Sequence, residues 1–69
     1  MNEVTTIDAL TLSNMYQLSL VEHKDLLGAL TYVITVTKDG KEESKQVFED
    51  KDVALGIFER LKQYYQTFG

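Results

Sequence analysis

Residues 30–37 read Leu-Thr-Tyr-Val-Ile-Thr-Val-Thr. Tyr32, Ile34 and Val36 fall on one side of an extended chain, and Thr31, Val33, Thr35 and Thr37 on the other. Strict alternation in β-branched and aromatic residues is the pattern of a strand with one buried face. Lys38-Asp39-Gly40-Lys41 follows. Asp and Gly tolerate positive φ, so the chain is expected to reverse tightly and return through residues 42–48 as an antiparallel partner.

The register of that return has two solutions. A two-residue Asp39-Gly40 loop places Val47 on the side of Tyr32 and Ile34. A three-residue loop with Gly40 in a bulge places Phe48 there, because a slip of one residue exchanges the faces. The bulged version is favoured, since it buries Phe48 just before the next element.

That element is a helix. Asp50 is suited to cap its N-terminus, and Asp52 adds favourable charge in the first turn. Ala54, Ile57, Phe58, Leu61, Tyr64, Tyr65 and Phe68 recur at spacings of three and four. Lys51, Asp52, Glu59, Arg60, Lys62, Gln63 and Gln66 take the opposite side. A one-sided helix needs a surface to cover, and the hairpin before it supplies one. Gly56, on the polar side, is read as a tolerated weakness of about 1 kcal/mol relative to alanine.

Upstream, Tyr16, Leu18 and Leu20 alternate with Gln17 and Ser19, predicting a strand over residues 15–22 after a turn at Ser13-Asn14. A helix running through Leu27 is the competing reading, and alternation fits better. Val4, Ile7, Leu10 and Leu12 are compatible with either a helical turn or an edge strand, so residues 1–13 carry no assignment. The expected architecture is α+β: a three-stranded antiparallel β-meander with one C-terminal amphipathic helix on one face, β-β-β-α, in a single domain over residues 1–69.

The connection at residues 23–29 contains Leu26 and Leu27 where a polar loop is the norm. They are expected to cap one end of the core, or to lie in a longer hairpin with Gly28 as a bulge. The competing reading is an exposed apolar tip offered to a partner. One helix covers one side of the sheet. The other side, with Gln17, Ser19, Val21 and the threonines of residues 31–37, either faces water or meets a second copy, face to face or edge to edge.

A 69-residue chain buries only about 60% of its unfolded surface. There is no cysteine to staple it, so either the core is well idealised or a second copy completes it as a homodimer. Seven basic against eleven acidic residues give a net charge of −4, which disfavours direct nucleic-acid binding. No apolar run approaches the roughly 20 residues of a membrane-spanning helix. Residues 1–6 do not resemble a signal peptide, so a cytoplasmic location is expected.

Chemistry is thinly represented. The single histidine, His23, is bracketed by Glu22, Lys24 and Asp25, and the serines are Ser13, Ser19 and Ser44. Neither a nucleophile–base pair nor a metal-ligand spacing follows from that set. The four glycines form no phosphate-binding loop. No cofactor and no enzymatic activity are expected. Glu42, Glu43, Glu49, Asp50 and Asp52 are interrupted by Lys41, Lys45 and Lys51, the mixed charge of a guarded edge strand. The expected function is therefore a non-enzymatic protein-binding module, such as an inhibitor or accessory protein encoded by a phage or mobile element. Its candidate contact residues are Leu26, Leu27, Tyr64, Tyr65, Glu42 and Glu43, with one of the two tyrosines favoured as an interface anchor. The alternative is an acidic nucleic-acid mimic or a nucleotide-type ligand binder at a dimer interface.

Overall fold

A computed structural model describes residues 3–12 and 15–68, with side chains through Thr67. The expected turn at Ser13-Asn14 and the side chain of Phe68 lie outside the described residues. The strands are β1 (Glu3–Thr11), β2 (Tyr16–Lys24), β3 (Leu30–Lys38) and β4 (Lys41–Phe48), followed by α1 (Lys51–Phe68). All neighbours pair antiparallel, in the order β1-β2-β3-β4.

The sheet thus has four strands rather than three. The segment left open in the sequence is its outer strand, β1. A bulge hides it from periodicity analysis: Thr6 pairs with Val21 and Asp8 with Leu20, so Ile7 is the extra residue. The slip turns Leu10 to the side of Leu18 while Val4 lies with His23 on the other. Spacings of three along Val4, Ile7 and Leu10 are therefore a strand with a fault in its alternation.

A second bulge explains the register of β4. The Asp39-Gly40 loop has two residues, with Lys38 opposite Lys41 and φ values of 54° and 81°, which is a type I′ turn. The favoured bulge at Gly40 is not formed. Instead Val36 pairs with Ser44 and Thr37 with Glu42, leaving Glu43 as the extra residue. The slip still brings Phe48 opposite Tyr32, on the side favoured from sequence.

Asp50 caps α1. Its carboxylate accepts from the amides of Asp52 at 2.8 Å and Val53 at 3.3 Å, and its carbonyl accepts from Ala54 at 3.0 Å. The helix lies over β3, β2 and β4 and leaves β1 beyond its edge. Leu18, Leu20, Tyr32, Ile34, Val36, Ala54 and Phe58 form the buried core, and Ile7, Tyr16, Phe48, Leu55, Ile57, Leu61 and Tyr65 pack around it half-buried. Burying a side chain the size of Phe58 contributes roughly 1.5–3 kcal/mol. Lys62, placed on the solvent side by sequence, is in fact half-buried. Its ammonium lies 5.6 Å from the centre of the Phe58 ring, 2.8 Å from Glu59 and 3.9 Å from Asp8 on β1. The Glu59 hydrogen bond holds the Lys62 pKa above its ordinary value. Gly56 is exposed, and a Cβ there would meet nothing within 4 Å.

Candidate interaction surface

Cross-strand partners share a face of the sheet, so the pairing divides the molecule into a helix-covered side and an open side. It also defines two ends. The β2–β3 turn forms one end, with the close of β4 and the start of α1 beside it. The β3–β4 turn forms the other, where Asp39 donates its amide to the Met15 carbonyl at 3.1 Å.

The β2–β3 turn is built by two residues. One oxygen of the Asp25 carboxylate accepts from the amides of Leu27 and Ala29, each at 2.9 Å. The Asp25 amide donates to the Ala29 carbonyl at 3.0 Å, and the Gly28 amide to the Asp25 carbonyl at 3.1 Å. Gly28 takes φ +86°, a left-handed conformation that costs glycine little. Asp25 and Gly28 therefore meet the conformational demands of the turn, and Leu26 and Leu27 meet none of them. These two residues are 73% and 94% exposed. The expectation that the leucines cap the core is corrected: the turn folds them outward. The alternative, a longer hairpin with Gly28 as a bulge, is corrected as well: β2 and β3 pair without a register shift, and Gly28 lies in the turn itself, at its left-handed position. Leu30, at the base of the hairpin, is 40% exposed and extends the apolar tip. Sequence reasoning passed over it, although its parity with Tyr32 and its distance from the helical stripe were both legible.

The remaining candidates lie at the opposite end. Eight steps along β3 at about 3.4 Å each separate the two ends by roughly 27 Å, so the six residues do not make one surface. Tyr65 packs on Tyr16 with ring centres 4.6 Å apart, and Tyr64 meets Tyr65 edge-on at 5.0 Å. Lys38 lies 5.2 Å from the centre of the Tyr16 ring. Burial, followed by the neighbouring Tyr16, Tyr64 and Glu43, raises the Tyr65 hydroxyl pKa above the usual tyrosine value. Tyr65 is thus part of the packed rim, while Tyr64 turns outward beside Arg60, Gln63 and Thr67. Glu42 stands opposite Thr37 on the open side, and Glu43 is the bulged residue. Both are exposed.

The residues scanned for chemistry are dispersed by the same geometry. His23 lies on the open face between Val4 and Thr31. Glu22 lies on the covered face opposite Tyr32, where burial and that carboxylate raise the Tyr32 pKa. Asp25 is engaged by backbone amides of the turn. Among the described residues, no group of three His, Cys, Asp or Glu side chains is placed to hold a metal ion. No helix among them is long and apolar enough to cross a membrane. Comparison with family models, curated proteins and solved structures gives no match to this chain.

Proposed function

We propose that this chain is a protein-binding module that inserts its Leu26–Leu27 tip into an apolar groove of another protein. The observation that carries this reading is the near-complete exposure of two leucines on a turn whose geometry needs neither. Removing a leucine side chain from water contributes about 1.5–3 kcal/mol, so the pair supplies an anchor of useful strength. The turn is already ordered by Asp25, which lowers the entropy lost on docking.

The charge around the tip describes the partner further. Glu3, Glu22, Asp25, Glu49, Asp50 and Asp52 lie at this end of the molecule, with Lys24 and Lys51 the only lysines among them. An apolar anchor with an acidic collar fits a groove bordered by Lys or Arg, and complementary charge speeds the encounter. Mimicry of a nucleic acid is less well served. It calls for carboxylates spaced along a face, and the open face carries none on β1, β2 or β3.

The test places a photo-crosslinking residue at position 26 and, separately, at position 63 on the solvent side of the helix, in extracts of the native host. The expected result is a discrete protein adduct from position 26 alone, weakened about tenfold or more by Leu27→Ser, a loss of ~1.4 kcal/mol. Equal labelling from both positions, or an adduct indifferent to Leu27→Ser, would contradict the reading.

A further inference from the structure

The open face of the sheet is a different surface from the tip, and its chemistry is unlike that of the rest of the chain. Charged side chains make up 26% of the sequence, with a net charge of −4. Yet across β1, β2 and β3 the open face holds no Asp, Glu, Lys or Arg. Its one charged stretch is on β4, where Glu42 and Lys45 stand opposite Thr37 and Thr35. A row of β-branched residues, Thr6, Val21, Val33 and Val47, crosses all four strands at its centre. Val47 is 59% exposed.

We propose that a second copy of this chain covers that face, sheet against sheet. Two acidic chains repel each other unless the contact avoids their carboxylates, and this face avoids nearly all of them. A basic partner would find few opposite charges here. A second neutral, β-branched face is the complementary surface, since aligned sheets interdigitate such side chains about 10 Å apart. Four strands about 4.8 Å apart and roughly 27 Å long outline some 500 Å². With side-chain relief, that approaches the roughly 800 Å² per partner of a standard interface.

The edges are poorer candidates for self-association. The two outer strands, β1 and β4, are each broken by a bulge, at Ile7 and Glu43, and β4 adds Lys41, Glu42, Glu43 and Lys45. Bulges and charges of this kind obstruct edge-to-edge pairing.

The experiment is sedimentation equilibrium of the full chain over a concentration series, alongside Val47→Glu, Thr35→Arg and Leu27→Ser. Far-UV circular dichroism confirms that each variant is folded, and the exposed position of Val47 keeps one face variant readable if Thr35→Arg unfolds. Wild type and Leu27→Ser should approach twice 7.9 kDa. The face variants should weaken dimerisation by about 100-fold, as expected for a charge buried without a partner. A wild-type mass of 7.9 kDa throughout, or a dimer that survives a folded face variant, would overturn the proposal. Loss of the dimer in Leu27→Ser alone would also overturn it, by moving the contact to the tip. Because the crosslinking experiment reads the tip and this one reads the sheet, either can fail without the other.

Discussion

Two turns at opposite ends of the same sheet solve the same problem with different side chains. At residues 38–41, every position is polar or glycine, and Asp39 and Gly40 both take the positive φ that a two-residue hairpin demands. At residues 25–29, the polar and glycine positions are Asp25 and Gly28, and between them stand two exposed leucines. Both turns are ordered by backbone hydrogen bonds or left-handed residues, so neither needs an apolar side chain. The leucines are additional to the fold, and exposing them to water is a standing liability in a small acidic protein. That asymmetry is the basis of the docking role proposed for the tip.

Substitutions at the conformational positions should give the largest effects and should treat the two turns alike. Gly28→Ala and Gly40→Ala each force a Cβ into a left-handed conformation with nothing to clash against. Each should lower the free energy of unfolding by about 1–2 kcal/mol in urea titrations. A negligible effect at Gly28 would break the comparison, since the turn would then not depend on its glycine. Asp25→Ala removes the acceptor for two amides and should cost about 1 kcal/mol, measured in the same way. Faster hydrogen exchange at the Leu27 and Ala29 amides would localise the loss.

Gly56→Ala should have the opposite sign. Its helical position has open space around it, so calorimetry should show a gain of about 1 kcal/mol. The smallest effect belongs to Met15, just before β2. Met15 adopts φ 71°, donates its amide to Leu12 at 3.3 Å, and occupies the place that Gly28 holds in the β2–β3 turn. Met15→Gly relieves that conformation but loosens the unfolded chain, and the net stabilisation should be about 0.5–1 kcal/mol. If it destabilises instead, the 60% exposed Met15 side chain makes a contact that the fold requires.

The parts of this architecture that were legible in sequence are those where local chemistry and tertiary role agree. Tyr32, Ile34 and Val36 alternate and are buried; Asp50 is a capping residue and caps; Ala54 and Phe58 lead the helical stripe and fill the core. The parts that were not legible each involve a bulge or a choice made by distant residues. Ile7 is inserted into β1, which disguised a strand as an undecided segment. Glu43 is inserted into β4 with no glycine to announce it, so the slip was assigned to Gly40. Lys62 looked like a solvent residue until β1 arrived with Asp8 beneath it. The tip was recognisable as a loop with unusual leucines, but their direction depends on whether any core lies within reach. The helix covers the middle of the sheet and leaves the turn beyond it.

The most direct measurement is the unfolding free energy of the Leu26→Ser, Leu27→Ser double variant beside wild type, by urea denaturation at one fixed protein concentration. If the leucines are additional to the fold, the two proteins should agree within about 0.5 kcal/mol, as for exposed positions generally. A loss of about 2 kcal/mol or more, the size expected for a leucine removed from a core, would mean that the tip is packed in solution. The leucines would then belong to the fold and not to a partner.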